Sequence, residues 1–191
     1  EITAMNTRLT LPEQICEQPR VYVADGFATA NEIDHVLARY GRETPPAHGG
    51  IAWDHGIAGR SGELPIAADA VLARIAARID SVLGFGCTLA GPTFRFRRYA
   101  PGDFHPGHVD CYEIAGQHLV ATALLYLTDT HGGGETTFPR AHPEPIQIAP
   151  CRARLALWFN YTPDGEVDRQ SFHASEMLQG GEKSTLAYFV Y

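Results

Sequence analysis

The sequence predicts an α+β chain in which β structure dominates, and three observations carry that reading. Two stretches with helical apolar spacing lie in the first half of the chain. Short apolar or alternating runs, separated by Gly and Pro, fill the second half. The 191 residues suit one domain, long enough to bury a substantial core. Helices first and strands afterwards places helices outside a strand core, and strands this short and this punctuated suggest a β-sandwich or barrel.

Residues 1–18 read as a flexible N-terminal arm, and residues 19–191 as a single domain. Val21-Tyr22-Val23 alternates as a short strand and stops at the turn pair Asp25-Gly26. Thr29-Ala-Asn-Glu32 is a capping-box pattern, in which the hydroxyl and the carboxylate each satisfy an orphan amide. The helix that follows places Ile33, Val36, Leu37 and Tyr40 at helical spacing. Residues 41–64 are rich in Gly, Pro, His and Ser around Trp53 and read as a long loop that could hold a hairpin. A second helix is expected over residues 66–82, with Val71, Leu72, Ile75 and Ile79 on one stripe. After Gly91-Pro92, strands are expected over residues 94–99, 119–127, 146–148, 155–159, 171–174 and 184–191.

Bulk properties narrow the function classes. A net charge of -7 argues against a nucleic-acid partner, which would normally face a basic surface. No apolar run is long enough to span a bilayer, and the N-terminus lacks a basic-then-apolar leader pattern. Cys16, Cys87, Cys111 and Cys151 are scattered without CxxC spacing and read as reduced thiols of a cytoplasmic protein.

The chemistry lies in His108-Val109-Asp110, read with His173 and Lys183. Two imidazoles and a carboxylate form an N,N,O donor set, which can hold one face of an octahedral iron(II) and leave the other face open. Spacing alone does not establish this. With nine His and 22 acidic residues, about one His-x-acid match arises by chance, and the chain holds two. The other, His142-Pro143-Glu144, sits between prolines that disfavour an internal strand. His108 and Asp110 follow a turn and could share one face of a strand, or be two polar residues on a solvated edge. Taken singly, His173 is an ordinary core or edge histidine and Lys183 a surface lysine beside Glu182.

The residues in combination carry a family resemblance. Val23-Ala-Asp-Gly-Phe27 precedes a capped helix, and Arg98-Tyr99-x-Pro-Gly102 leads to His108-x-Asp110. Thr122-Ala-Leu-Leu-Tyr-Leu127, Gly133-Gly-Glu-Thr-Thr-Phe-Pro139 and Pro150 with residues 153–159 follow. His173 comes next, with Lys183 ten residues later. From Val21 to Tyr191 the chain resembles the prolyl 4-hydroxylase-like branch of the Fe(II)/2-oxoglutarate dioxygenases. The resemblance implies a double-stranded β-helix (jelly roll) core with N-terminal helices packed on one side. It also implies hydroxylation of an unactivated C–H of an amino-acid substrate, free or peptidyl and proline-like, with release of succinate and CO2. The implied cofactors are Fe(II), 2-oxoglutarate and O2, with ascorbate as a candidate reductant.

On the same resemblance, His108, Asp110 and His173 bind the metal. Lys183 pairs with the distal carboxylate of 2-oxoglutarate, supported by Tyr99 and, more weakly, Thr136. A buried charge pair needs such extra hydrogen bonds, because desolvation otherwise cancels the attraction. Halogenases on this scaffold replace the carboxylate ligand with a small residue, so Asp110 points to hydroxylation. The chain departs from the family's pattern at Leu119, where Arg is frequent, and at Ala153, where Gly is usual. It departs again at Arg60-Ser61-Gly62, which shortens a hydroxyl-rich signature. These changes weaken the case for peptidyl proline as the substrate.

Residue parity adds a substrate candidate. In Phe94-Arg-Phe-Arg-Arg-Tyr99, Arg95 and Arg97 share the face of Tyr99. Either could bind a substrate carboxylate; either could equally form a barrel-rim ion pair. Trp53 and residues 49–62 could close over the substrate, or pack as a structural loop. His105, three residues before His108, reads as a turn histidine, with a second-sphere residue beside the ligands as the alternative. The competing readings are a jelly-roll metal- and 2-oxoglutarate-binding sensor or interaction domain without turnover, and a zinc hydrolase. The second lacks an HExxH arrangement.

Overall fold

The computed structural model describes residues 12–41, 60–84, 90–114 and 116–191. The elements run β1 (Glu13–Glu17), β2 (Arg20–Ala24), α1 (Ala30–Tyr40), β3 (Arg60–Pro65), α2 (Ala70–Leu83), β4 (Ala90–Tyr99) and β5 (His105–His108). They continue with β6 (Glu113–Ile114), β7 (Gln117–His118), β8 (Ala121–Tyr126), β9 (Thr130–Gly133), β10 (Thr136–Phe138) and β11 (Ile146–Ile148). The last are β12 (Leu155–Phe159), β13 (His173–Ser175), β14 (Leu178–Gly181) and β15 (Lys183–Val190). A seven-stranded sheet has the order β1-β2-β12-β8-β15-β4-β3, and a four-stranded sheet the order β11-β10-β13-β5. Pairing is antiparallel in both. The sheets face one another, as the edge contact of Phe138 on β10 with Trp158 on β12 shows. This is the expected jelly roll.

Strand alternation sorts the large sheet into two faces. Phe94, Phe96, Leu125, Leu155, Leu157, Leu186 and Tyr188 point to one side, where they bury against Ile33, Val36, Leu72, Ile75 and Ile79 of the two helices. Both helices are secured at their N-termini. Thr29 and Glu32 form the reciprocal capping box of α1. The Asp69 carboxylate accepts from the Val71 and Leu72 amides to cap α2. Each cap contributes about 1 kcal/mol. Glu32 also receives a two-pronged contact from Arg78, which ties α1 to α2. Asp69 likewise collects Tyr40 and His35 from α1, so Tyr40 stays half-buried with its hydroxyl at the helix junction.

Several boundaries differ from the sequence reading. Residues 13–17, assigned to the arm, form β1 on β2, with Cys16 the one buried side chain. Residues 60–64, assigned to the loop, belong to β3, paired with β4. Gly62 and Leu64 are its buried positions, and a glycine leaves no apolar signal for a pattern to register. The second helix starts at Ala70, because Ile66–Ala68 form a 3-10 turn ahead of the Asp69 cap. Arg169–Ser171 form another such turn, which delays β13 to His173.

Candidate active site

The face of the large sheet turned away from the helices carries a different set of residues. Thr122 and Leu124 of β8, Trp158 of β12, Arg97 and Tyr99 of β4, and Lys183, Thr185, Ala187 and Phe189 of β15 line a cavity between the sheets. The small sheet closes it with His105 and His108 of β5, Thr136 of β10, and His173, Ala174 and Ser175 of β13. Asp110 completes the lining.

His108, Asp110 and His173 converge, with one ligand atom from each lying within 4.8 Å of the others. Antiparallel pairing of β5 with β13 sets His108 directly opposite His173. Asp110 does not share the strand with His108, as the same-face reading required; it lies in the loop just past β5. Its Oδ1 is 3.2 Å from His108 Nε2 and its Oδ2 is 3.7 Å from His173 Nε2. Both imidazoles are oriented in the same way. His108 Nδ1 is 2.9 Å from the Pro106 carbonyl, and His173 Nδ1 is 2.9 Å from the Ser171 carbonyl. A carbonyl only accepts, so each Nδ1 carries a proton and each Nε2 faces Asp110, where the neutral ring presents its lone pair. Burial lowers the proton affinity of His173, partly offset by Asp110. Burial pushes the Asp110 carboxyl up, but the protonated forms of His173 and His108 and the Thr122 hydroxyl outweigh it and hold it well below the usual carboxylate range. Two neutral imidazoles and one anionic carboxylate are the donor set that suits a ferrous ion.

Behind Asp110 stands a support that the sequence reading missed. Thr122 Oγ1 donates to Asp110 Oδ2 at 2.7 Å, and Asn160 Nδ2 donates to Thr122 Oγ1 at 3.2 Å. Asn160 also holds the Leu119 carbonyl, and all three side chains are buried. The available signal was Thr122 itself, a hydroxyl in an otherwise apolar run. Trp158 was also missed. It packs edge-on against His173 at 4.7 Å between ring centroids, and its buried Nε1 has no hydrogen-bond acceptor. His105 is no turn residue. It opens β5, stacks edge-on against His108 at 4.2 Å and lines the cavity. Burial, with Arg97 adding, lowers its pKa to about 2.

Lys183 is the second focus. It is 1% exposed, and among the described residues no carboxylate pairs with it. Nζ donates to the Gly134 carbonyl and to Ser175 Oγ, each at 2.6 Å, and lies 4.9 Å from the Tyr99 ring centroid. Burial brings its pKa down to about 7. Tyr99 sits directly opposite Lys183 in the β4–β15 register. Thr136 is buried beside them, with its hydroxyl accepting a hydrogen bond from the Tyr126 hydroxyl at 2.6 Å. Ser175, absent from the sequence reading, completes this group.

The remaining candidates divide. Arg97 reaches the cavity lining, whereas Arg95 lies 3.5 Å from Glu63 of β3 and stacks over Phe189. For Arg95 the rim ion pair is therefore what forms. Trp53 lies outside the described residues. His142 joins Pro143 through a cis bond and bridges Gln18, and it is not part of the ligand group that holds the first match.

Known proteins extend the picture. The model of the 2OG-Fe(II) oxygenase superfamily matches residues 94–191. The chain is 23% identical to probable prolyl 4-hydroxylase 4 of Arabidopsis thaliana, over 94% of this chain and 70% of that protein. It is 25% identical to prolyl 4-hydroxylase 2 of the same plant, over 94% and 69%. Its fold is similar to that of the viral collagen prolyl hydroxylase of Paramecium Bursaria Chlorella virus-1, solved with 2OG. That match has a TM-score of 0.74 and 19% identity, and covers 92% of this chain and 98% of the other. A Trichoplax adhaerens prolyl hydroxylase, solved with a hypoxia inducible factor peptide fragment, matches with a TM-score of 0.67 and 14% identity over 90% and 83%. The matched segment begins at Phe94 and so contains the His-Asp-His group and Lys183, which makes the chain a member of the 2OG-Fe(II) oxygenase superfamily: a 2-oxoglutarate-dependent dioxygenase whose cofactors are Fe(II), 2-oxoglutarate and O2.

Proposed function

We propose that this protein hydroxylates an unactivated C–H bond of an amino-acid substrate, with His108, Asp110 and His173 holding the iron and Lys183, Tyr99 and Thr136 receiving 2-oxoglutarate. The observation that carries this reading is one cavity holding both a three-ligand group and a buried ammonium with no carboxylate partner among the described residues. An ammonium so placed is costly unless an anion arrives to pair with it.

When bound, iron supplies the activation of O2 that couples decarboxylation of 2-oxoglutarate, giving succinate and CO2, to insertion of one oxygen atom into the substrate C–H. The protein's own residues do the rest. The two Nδ1 protons, held by the Pro106 and Ser171 carbonyls, fix the rings so that both Nε2 atoms face inward. Thr122 occupies Asp110 Oδ2, which leaves Oδ1 as the better-presented ligand oxygen. Lys183 meets the distal carboxylate of the cosubstrate as a charge, with the Tyr99 ring and the Ser175 hydroxyl beside it. Leu124, Trp158 and Phe189 keep bulk water from the reacting centre.

The names of the relatives, prolyl 4-hydroxylases, and the peptide bound to one structural neighbour support a proline-like substrate, free or within a peptide. No described helix is long and apolar enough to cross a membrane. Cys16, Cys111 and Cys151 are free thiols, which supports a reducing, cytoplasmic setting. The test is succinate formation by the iron-loaded protein with free amino acids and proline-rich peptides, read together with a product heavier by one oxygen atom. Coupled appearance of both is expected. Succinate formed equally by His173→Ala, or no binding of 2-oxoglutarate to the iron-loaded protein, would overturn the reading.

A further inference from the structure

The cavity wall around Lys183 carries hydroxyls, and the direction of each can be worked out. Ser175, Thr136 and Thr185 all line the cavity and are buried. Ser175 of β13 lies directly opposite Thr136 of β10, and Thr185 is one pleat from Lys183 on the same face of β15. An ammonium has three protons and no lone pair, so Ser175 Oγ accepts from Lys183 Nζ. Tyr126 is sealed in the core, and its hydroxyl meets Thr136 Oγ1. Tyr126 is the donor of that pair, because the reverse direction would leave a phenol proton buried without an acceptor. Thr185 Oγ1 has no hydrogen-bond partner among the described residues.

Each of the three hydroxyls therefore keeps its own proton, and none of those protons meets an acceptor among the described residues. Lys183 gives one proton to the Gly134 carbonyl and one to Ser175, and keeps the third. One region of the cavity thus presents a set of uncommitted protons. Buried donors are costly when left unpaired, so the arrangement suits a ligand group that only accepts. An ionised carboxylate is such a group, with two oxygens, about four lone-pair sites and no proton.

We propose that Ser175 and Thr185 are cosubstrate-binding residues, each donating a hydrogen bond to the distal carboxylate of 2-oxoglutarate alongside Lys183 and Thr136. The inference rests on the oxygenase reading of the cavity and adds two residues to it. Ser175 acts twice: its oxygen orients the Lys183 ammonium, and its proton goes to the carboxylate. It also lies two residues past His173 on β13, so one short strand carries both an iron ligand and a contact to the cosubstrate. Thr185 receives from the cosubstrate the acceptor that its neighbours in the fold do not supply.

The test is anaerobic calorimetry of 2-oxoglutarate binding to the iron-loaded protein, in the native chain, Ser175→Ala and Thr185→Val. The second variant keeps the side-chain shape and removes only the hydroxyl. A hydrogen bond to a charged group corresponds to roughly 10- to 150-fold in affinity. Each variant should weaken 2-oxoglutarate binding by a factor in that range, and Thr185→Ser should restore most of the loss. Iron uptake should stay at the native level in both. So should the binding of 2-oxobutyrate, which keeps the metal-chelating end and lacks the distal carboxylate. A native affinity for 2-oxoglutarate in either variant, or an equal loss for 2-oxobutyrate or for iron, overturns the inference. A native protein that takes up iron and binds no 2-oxoglutarate overturns the oxygenase reading itself, so the two failures are told apart.

Discussion

The two faces of the seven-stranded sheet are built from the same strands and obey opposite rules. On the helix side, Phe94, Phe96, Leu125, Leu157 and Leu186 are closed off by apolar neighbours, and each is at most 3% exposed. On the cavity side the alternate residues include Arg97, Tyr99, Thr122 and Lys183. A one-residue step along β15, from Lys183 to Ser184 to Thr185 to Leu186, moves from one regime to the other. The apolar face holds the fold together. The polar face costs stability, and its composition makes sense only as a site. Substitutions on the two faces should therefore separate stability from chemistry.

The largest effect is expected from the ligands. Asp110→Ala should abolish stoichiometric Fe(II) uptake and turnover, read by anaerobic metal titration and succinate assay, while leaving a folded protein. A variant that keeps its iron would break the comparison at its functional end. Next comes a contrast across β4 and β15. Phe96→Ala should cost about 3–5 kcal/mol by denaturant unfolding, the usual range for a buried Phe. Lys183→Met should leave the unliganded protein as stable or more so, while weakening 2-oxoglutarate binding by roughly 100-fold, the loss of a buried charge pair. Equal destabilisation by both would mean that the two faces do not differ in kind.

The pH dependence of Lys183 sharpens this contrast. With its folded pKa near 7, below its ordinary value, the unfolded chain binds that proton more readily above pH 7. The burden of the buried charge is thus fully present below pH 7 and is relieved as pH rises toward the ordinary lysine range. The advantage of Lys183→Met should be greatest near pH 6 and shrink above pH 7. Binding of 2-oxoglutarate should take up a proton above pH 7 and none well below it, measured by calorimetry in buffers of different ionisation enthalpy. Uptake that does not vary with pH would contradict this placement of the lysine.

Smaller effects fall on the supports. Thr122→Val should weaken iron binding by about 10–100-fold, with Thr122→Ser restoring most of it. At Ala153, φ is 67°, the one positive value at a described non-glycine residue. Its amide and carbonyl bond Tyr126 and Phe27, which hold it there. Ala153→Gly, the residue usual in the resembling family, should raise stability by about 0.5–1 kcal/mol after the entropy of glycine is discounted.

How much of this was legible in the sequence follows the same division. Capping-box residues Thr29 and Glu32 act within one turn, so their pattern and their structure agree. The core strands were legible because one of their faces is apolar. Edge strands β1 and β3 were not, since backbone pairing holds them and few of their side chains are buried. At the site, the spacing of His108 and Asp110 was visible, but not the reason it works: the strand ends at His108, and the loop turns Asp110 back to meet Thr122. Ser175, Trp158 and Asn160 left no local signal, because their roles depend on partners from other strands. Arg95 and Arg97 had equal standing by parity; in the structure Arg95 meets Glu63 across the sheet and Arg97 lines the cavity.

The central claim is that His108, Asp110 and His173 form one iron site that shares its cavity with the Lys183 ammonium. An anaerobic Fe(II) titration of the native protein and of His173→Ala, each with and without 2-oxoglutarate and followed by absorption, addresses it directly. The native protein should bind a single equivalent of iron and develop a metal-to-cosubstrate band on adding 2-oxoglutarate, and His173→Ala should do neither. Iron binding and the band surviving unchanged in a folded His173→Ala would contradict the claim.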